Sequence, residues 1–272
     1  MTACWVDGVR ADSLPADDRG LLYGDGLFET LRCEQGEPCF IELHLRRLAA
    51  GCAALALPAP DPELLRFELR RAAAGQAACL LRLTLTRGSS SLRGYAPPVP
   101  CTPRRILARY PLPPPFDVDT GIRACHSPVI AGLSPTLAGI KHLNRLENVL
   151  ARARLAGSGC DEAILATADG ELVGGTMSNL FVVLDGRLLT PPVLGSGVRG
   201  VMREVVRREA AAGGIEMQER PLRRADLAAA SEIFFTNVRL GAWPVVALDD
   251  WRGVAPGPMV RALRERIQGL RD

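Results

Sequence analysis

Lys141 is the only lysine in a chain of 272 residues, and the other 32 of its 33 basic residues are arginines. Arginine keeps its proton at every accessible pH, so it cannot form a Schiff base or act as a general base. A lone lysine in this background is a candidate for chemistry that requires a free amine. Composition alone favours the alternative of codon bias against lysine, but the segments around Lys141 reverse that preference.

One segment has the features of a phosphate-binding loop. In LGSGVRGVMRE, Gly195 and Gly197 lead into a predicted helix that begins near Val198 or Arg199. Free N–H groups and the positive end of the helix dipole make such a start a site for anions. An ordinary glycine turn before a helix has the same pattern and stays an alternative.

A second segment could also hold a phosphate. FFTNVRLG is a predicted buried strand that ends in Thr236 and Asn237, and its tip presents a hydroxyl, an amide and backbone N–H groups. Two such loops and one lysine able to form a Schiff base indicate pyridoxal 5'-phosphate (PLP). This cofactor needs an amine for its aldehyde and several donors for its phosphate.

Arginines in two further segments could bind anions. HLRRL places Arg46 and Arg47 side by side on a predicted helix, about 100° apart, so one turns inward if the other faces solvent. A buried arginine needs an anionic partner such as a phosphate; two solvated arginines are the alternative. TRGSSSLRGYAP combines Arg87, Arg93 and Tyr95 in a loop suited to binding a carboxylate, or in a plain hairpin tip.

Composition excludes several classes of protein. The chain is 47% hydrophobic and 23% charged with a net charge of +3, which is ordinary for a globular protein and too slight for nucleic-acid binding. No apolar run approaches the roughly 20 residues of a membrane span. The N-terminus lacks a signal-peptide pattern, so we expect a cytoplasmic protein. The eight cysteines form no CxxC pair and the three histidines lack ligand spacing, so we expect reduced thiols and no metal site.

Short strands alternate with helices in an irregular order, which predicts an α+β fold. The proline-rich stretch PLPPPFDVD suits a connector. We therefore expect a smaller N-terminal α/β domain over 1–112, a linker over 113–120 and a larger C-terminal domain over 121–272 that carries Lys141. Apolar spacing predicts helices over 44–55, 62–75, 142–157 and, from Val198 or Arg199, up to the glycines at 213–214.

The order of the motifs resembles the fold-type IV PLP enzymes, a family that includes branched-chain and D-amino acid aminotransferases and aminodeoxychorismate lyases. The resemblance covers nearly the whole chain, and AGIKHLNRLE is most similar to the lyases. The segments that carry it are DRGLLYGDGLFETLR, HLRRL, RGSSSLRGY, LAGIKHLNRLENVLAR, DEAILATADGELV, MSNLF and GVRGVMRE.

The resemblance implies roles for particular residues. Lys141 is implied to be both the Schiff-base lysine and the base that moves the substrate proton, and Thr30 to be catalytic beside the substrate. The implied contacts of the cofactor, besides Lys141, are Arg47, Val198, Arg199, Thr236, Asn237 and Val238. The implied substrate-binding residues are Arg93, Tyr95 and Asn144.

The resemblance also implies a C-terminal domain with a barrel-like β core, a homodimer, and release of pyruvate and 4-aminobenzoate, a folate precursor, from aminodeoxychorismate. The nearest alternative activity is transamination of branched-chain or D-amino acids. Two further alternatives remain. One is a non-catalytic protein that binds vitamin B6 phosphate or a protein partner, and the other is an aldolase that uses a Schiff base without a cofactor.

One position departs from the family pattern. The family places a glutamate five residues before the asparagine of the SNxF segment, where it pairs with the pyridine nitrogen of the cofactor. This chain has Gly174 there. Glu171 lies three positions earlier and, by the two-residue period of a strand, on the opposite face. We expect a weaker electron sink, which would hinder a transaminase more than a lyase whose product is aromatic. The alternative is that the change weakens or abolishes activity altogether.

Overall fold

The computed structural model describes residues 1–91, 93–114, 117, 120–249, 251–253 and 256–272. The chain divides into a first unit of residues 1–114, 140–144 and 271–272, and a second unit of 115–139 and 145–270. Lys141 therefore packs with the first unit, although the expected domains placed it with the C-terminal part. The linker expected over 113–120 includes residues 115, 116, 118 and 119, which lie outside the described residues, and the domain boundaries stay a prediction.

Over its described residues the first unit is a six-stranded antiparallel sheet in the order β2-β1-β6-β5-β3-β4. Leucines at alternate positions of β5 and β3 form one buried face of this sheet. Asp61 caps α3 by accepting a hydrogen bond from the Glu63 N–H. The elements are β1 (Ala3–Val6), β2 (Val9–Arg10), α1 (Arg19–Tyr23), β3 (Gly26–Glu34), β4 (Glu37–Pro38), α2 (Ile41–Ala54), α3 (Pro62–Ala73), β5 (Ala78–Thr86) and β6 (Arg104–Pro111).

The described part of the second unit contains a nine-stranded mixed sheet, in which β15 pairs with β14 beside the path β12-β11-β10-β13-β14-β7-β8-β9. Its strands are β7 (Ile122–Ile130), β8 (Glu162–Ala166), β9 (Leu172–Gly175), β10 (Asn179–Leu184), β11 (Arg187–Thr190), β12 (Met217–Glu219), β13 (Glu232–Asn237), β14 (Gly241–Leu248) and β15 (Trp251–Arg252). Its helices are α4 (Leu146–Ala153), α5 (Val201–Ala212), α6 (Arg224–Ala228) and α7 (Pro258–Ile267).

A tight turn curls this second sheet. The Gly175 N–H donates to the Ser178 carbonyl at 2.8 Å, and the turn leads edge strand β9 directly into β10. Six strands, from β10 through β13, β14, β7 and β8 to β9, therefore form a barrel-like core. Phe181 and Phe234 stack on one side of it, with their ring centroids 5.0 Å apart. The predicted α+β class and the barrel-like β core are both confirmed.

Two predicted helix starts are wrong, and hydrogen bonding explains both. The helix predicted over 142–157 begins only at Leu146, because the backbone of residues 141–143 pairs with β3. The helix predicted from Val198 or Arg199 begins at Val201, because Val198 forms a parallel bridge with Gly139. None of the helices over the described ranges has the length and apolar character to cross a membrane.

Candidate active site

Lys141 lies beside β3 in the first unit. The Phe28 N–H donates to the Lys141 carbonyl at 2.9 Å, and the Leu143 N–H donates to the Gly26 carbonyl at 3.0 Å. These bonds hold the backbone on both sides of His142 against the strand. The direction of the Lys141 side chain is thereby tied to a strand that is itself paired with β5.

The Lys141 amine packs on an aromatic ring that it shares with a second cation. Its Nζ lies 4.2 Å from the centroid of Phe28, and the Arg82 guanidinium carbon lies 4.2 Å from the same centroid. The Arg82 side chain is half-buried, and its guanidinium has no hydrogen bond or ion pair within the described residues. The polar position of Arg82 in the alternating strand CLLRLTLTR is a signal from which this residue could have been predicted.

Thr30, the predicted catalytic threonine, lies on the same face of β3 as Phe28. The two residues are separated by one position, and strand side chains alternate between faces. Thr30 also lies directly opposite Arg82 in the pairing of β3 with β5. The first unit thus brings a hydroxyl, an amine and a guanidinium to one region of the sheet.

The opposite face of β3 carries a buried charged cluster that sequence analysis did not predict. Glu29 accepts a hydrogen bond from Arg47 Nε at 2.8 Å and a second from Arg47 Nη2, and its Oε2 lies 2.6 Å from His44 Nδ1. The side chains of Glu29 and Arg47 are 2% and 11% exposed. Arg46 is exposed to solvent. Arg47 therefore faces inward, and its anionic partner within the chain is a carboxylate.

Electrostatics fix the charges of this cluster. Burial alone would raise the pKa of Glu29, but the charge and hydrogen bonds of Arg47, with a smaller contribution from His44, lower it to about 2. Burial lowers the pKa of His44, and Arg47 and Lys141 add to this effect against the opposing influence of Glu29. His44 is then neutral at neutral pH. Its Nε2 is buried and has no hydrogen-bond partner in the described part of the chain.

In the second unit the 198–200 segment is only partly available to an anion. The Arg199 N–H donates to the Gly139 carbonyl at 3.0 Å, so this predicted phosphate donor is already used. The Val198 N–H has no partner among the described residues. The first N–H groups of the 12-residue helix α5 follow at once, with Gly200 as the N-cap.

Asn179 holds this segment in place. Its Nδ2 donates to the Val198 carbonyl at 2.9 Å, and its Oδ1 would lie only 2.0 Å from a Cβ added at Gly200. Only glycine allows this close approach. Asn179 is part of the MSNLF motif, but sequence analysis assigned it no role.

The tip of β13 lies next to the same asparagine, because Thr236 is the register partner of Asn179. Thr236 is 2% exposed, and its hydroxyl has no hydrogen-bond partner among the described residues. The Val238 N–H is likewise unpaired in that part of the chain. The Asn237 carboxamide oxygen instead accepts from the N–H groups of Arg239 and Leu240, which closes the turn.

The predicted substrate-binding residues differ in their surroundings: Arg93 and Tyr95 are exposed, whereas Asn144 supports a turn. Tyr95 is 87% exposed and Arg93 is exposed. Asn144 donates from Nδ2 to the Gly24 carbonyl at 3.2 Å, which supports the turn before β3. The roles of all three stay predictions.

Gly174 lies on strand β9, just before the turn that joins β9 to β10. The carboxylate of Glu162 is 0% exposed and accepts hydrogen bonds from the Thr176 N–H at 3.0 Å and the Ser178 hydroxyl at 2.9 Å. A Cβ added at Gly174 would lie 2.8 Å from the Ser178 carbonyl oxygen. Glu171 pairs with Arg223 at 3.4 Å. A side chain at position 174 would therefore require the neighbouring backbone to shift.

The amino-transferase class IV family model matches residues 26–248, and the chain belongs to this family of PLP enzymes. It is similar to a 4-amino-4-deoxychorismate lyase of Pseudomonas aeruginosa, with a TM-score of 0.92 and 42% identity over 97% of each chain. It is 30% identical to the aminodeoxychorismate lyase of Vibrio harveyi over 97% of this chain and 98% of that protein. It is also 34% identical to a putative branched-chain-amino-acid aminotransferase of Methanocaldococcus jannaschii, over 93% and 90% of the two chains.

Each unit carries groups that suit part of a PLP molecule. The unpaired Thr236 hydroxyl and Val198 and Val238 N–H groups suit a phosphate, and Lys141 supplies the one side-chain amine. The exception is the pyridine nitrogen, since Gly174 offers no carboxylate.

Proposed function

We propose that this chain is a PLP-dependent 4-amino-4-deoxychorismate lyase that releases pyruvate and 4-aminobenzoate. The observation that carries the proposal is the similarity to a lyase of the same name along 97% of both chains. Gly174 supports it further, because loss of enolpyruvate makes the substrate ring aromatic and so depends less on a strong electron sink than transamination does.

In this proposal PLP is held by Lys141, with its phosphate contacted by Arg47, Val198, Arg199, Thr236, Asn237 and Val238. In this proposal Arg199 contacts the phosphate through its side chain, because its N–H donates to the Gly139 carbonyl. When bound, the cofactor supplies an aldehyde for the substrate amine and a ring that withdraws electrons.

The residues of the chain then perform the proton transfers. Lys141 Nζ accepts the ring proton on the carbon that bears the substrate nitrogen. Thr30 donates a hydrogen bond to the departing enolpyruvyl oxygen. Enolpyruvate is protonated to pyruvate, and 4-aminobenzoate is released. Arg82, which has no anionic partner within the described residues, together with Arg93, Tyr95 and Asn144, suits a substrate that carries carboxylates.

The test is an assay with chorismate, glutamine and the upstream synthase, in which 4-aminobenzoate and pyruvate are both quantified. Equal amounts of the two products are expected. The second candidate, transamination, is favoured by the similarity to the Methanocaldococcus protein. It predicts instead that 2-oxo acids form from branched-chain or D-amino acid donors without production of 4-aminobenzoate.

Replacing Thr236 with Val tests the phosphate site. The change removes an unpaired buried hydroxyl, so the cofactor-free protein should keep its stability or gain up to about 1 kcal/mol, while PLP binds roughly tenfold or more weakly. Titration of the cofactor-free protein and thermal unfolding measure the two effects. Thr190→Val is the matched control: the Thr190 hydroxyl donates to the Leu180 carbonyl at 2.7 Å, so its loss should lower stability and leave PLP affinity unchanged.

Replacing Gly174 with Glu tests whether the missing carboxylate limits the electron sink. We expect transamination by amino acid donors to rise about tenfold while stability falls by about 1–3 kcal/mol, because the new Cβ crowds the Ser178 carbonyl oxygen. Gly174→Ala has the same crowding without the carboxylate and should show no gain. If Gly174→Glu gains neither transamination nor elimination, the glycine does not limit the sink.

We also propose that two copies associate, as the family resemblance implies. Leu146, Val149 and Leu150 are 69%, 60% and 50% exposed on one face of α4. A face of this kind suits burial against a second copy of the chain. Sedimentation equilibrium at twice the chain mass would support a homodimer, and a monomer would contradict it.

A further inference from the structure

A buried arginine holds residues 93–96 of the first unit, the 93–96 segment, which carries Arg93 and Tyr95. Arg19 is 3% exposed, and its guanidinium donates to the carbonyls of Gly94 at 3.2 Å, Tyr95 at 3.0 Å and Ala96 at 3.4 Å. Both terminal nitrogens of the Arg19 guanidinium therefore donate to the backbone of this segment.

Neighbouring side chains hold Arg19 and the segment together. Arg19 Nε donates to Asp25 at 2.9 Å, and Asp25 also accepts from Arg87 Nε at 2.8 Å. The guanidinium carbon of Arg19 lies 4.8 Å from the ring centroid of Tyr23. The Tyr23 hydroxyl accepts a hydrogen bond from the Gly94 N–H at 3.3 Å. The Arg19 side chain is thus held by the Asp25 carboxylate and the Tyr23 ring as well as by the segment.

The other end of the loop is tied to the same short helix. The Arg19 N–H donates to the Gly88 carbonyl at 2.9 Å, and Asp18 forms a β-bridge with Ser89. Helix α1 and its cap therefore contact the chain both where it leaves β5 and at residues 94–96. This arrangement gives a structural role to Asp18 and Arg19 at the start of the segment DRGLLYGDGLFETLR, for which the sequence predicted none.

The side chains presented by the 93–96 segment do not contribute to a core. Arg93 is exposed, and Tyr95 is 87% exposed with only an edge contact to Tyr23 at 5.6 Å between centroids. Ordering a loop and burying an arginine both oppose folding. A buried arginine that orders exposed side chains is expected where those side chains must be ready for a ligand.

We propose that Arg19 and Tyr23 are positioning residues that hold Arg93 and Tyr95 ready to bind a carboxylate of the substrate. Arg93 supplies a forked, charged donor and Tyr95 a hydroxyl, which together match a carboxylate. This inference rests on the proposed function for the identity of the substrate. The grip of Arg19 on the segment does not depend on it.

Limited trypsin digestion tests the grip without any activity. Trypsin cuts after Arg93 only when the segment opens, so Arg19→Lys and Tyr23→Phe should release fragment 1–93 about tenfold faster than the parent. Arg105→Lys is the matched control, since Arg105 makes a similar fork on Glu68 at 3.0 and 3.1 Å elsewhere in the unit. An unchanged rate of cleavage after Arg93 in both variants would overturn the proposal.

Steady-state kinetics test the function of the segment. In Arg19→Lys and Tyr23→Phe the KM for aminodeoxychorismate should rise about tenfold, whereas kcat stays within about twofold, because Lys141 and Thr30 are untouched. Faster cleavage with an unchanged KM would mean that the segment does not bind substrate.

Calorimetric titration with 4-aminobenzoate separates this inference from the proposed function. A parent that makes no product contradicts the lyase assignment alone. Weaker binding of 4-aminobenzoate to Arg19→Lys than to the parent would still support positioning of the segment, and equal or absent binding would refute it.

Discussion

Lys141→Arg is expected to abolish turnover, with a loss of at least about 10³-fold, while the protein stays folded. The arginine keeps a cation over the Phe28 ring, where Lys141 Nζ lies 4.2 Å from the centroid. It cannot form a Schiff base or accept a proton, so both proposed roles of the lysine are lost together. Production of 4-aminobenzoate and the far-ultraviolet circular dichroism spectrum measure the two outcomes.

Chemical labelling of the lysine gives a second test of its role, because the sequence contains one lysine. Lys141 is the only lysine, so borohydride reduction in the presence of PLP has one side-chain amine to label. Mass spectrometry should find the phosphopyridoxyl mass on the peptide that contains residue 141 in the parent, and on no side chain in Lys141→Arg. Labelling confined to the N-terminal amine, or substantial activity in the variant, would contradict the assignment.

The elements that could be predicted from the sequence are those with a regular apolar period. The leucines of β5 and the Asp61–Pro62 start of α3 are examples, and both agree with the structure. The starts of α4 and α5 could not be predicted, because pairing with residues distant in the sequence decides them. Residues 141–143 pair with β3, more than 100 positions earlier, and Val198 pairs with Gly139. The sequence near each helix start does not indicate which distant residues it will pair with.

The same limit applies to the candidate site. The tip of β13 could be predicted because it combines a buried strand with polar residues at its end, and the unpaired Thr236 hydroxyl lies there. Conversely, the N–H of Arg199 was expected to be open and is used by Gly139. Local sequence shows which donors exist, whereas the tertiary fold decides which of them remain unpaired.

The ion pair of Arg47 with Glu29 could have been predicted from the sequence. Glu29 alternates with Leu27, Leu31 and Cys33 on the apolar face of β3, so a carboxylate is placed where water cannot reach it. Such a residue requires a cation. Of the two neighbouring arginines on α2, Arg47 faces inward and Arg46 is exposed. The resemblance implied a phosphate as the anionic partner of Arg47, and within the chain Glu29 is also its partner.

Glu29→Gln is expected to lower the free energy of unfolding of the cofactor-free protein by about 3–5 kcal/mol. The change leaves the charge of Arg47 buried without its partner and weakens the hydrogen bond to His44. Urea denaturation measures the loss. Glu37→Gln is the matched control, because the Glu37–Arg70 pair is 58% and 53% exposed and contributes only about 0–1 kcal/mol.

A double variant shows whether the loss comes from the unpaired charge. Adding Arg47→Met to Glu29→Gln removes the stranded cation, so part of the lost stability should return. If the double variant is less stable than Glu29→Gln by the full effect of Arg47→Met alone, the two residues do not interact and the electrostatic explanation is wrong.

Acid unfolding provides the independent check on Glu29. Its pKa in the folded protein is about 2, below the ordinary value of 4.5, so the unfolded chain binds a proton more readily. The stability from this group is complete above about pH 4.5 and is lost as the pH falls toward 2. The pKa of His44 is also lowered, so protonation of the unfolded histidine below about 6.5 acts in the same direction. Glu29→Gln should therefore lose less stability than the parent between pH 4.5 and 2, and equal slopes in this range would show that Glu29 is not held ionised by Arg47.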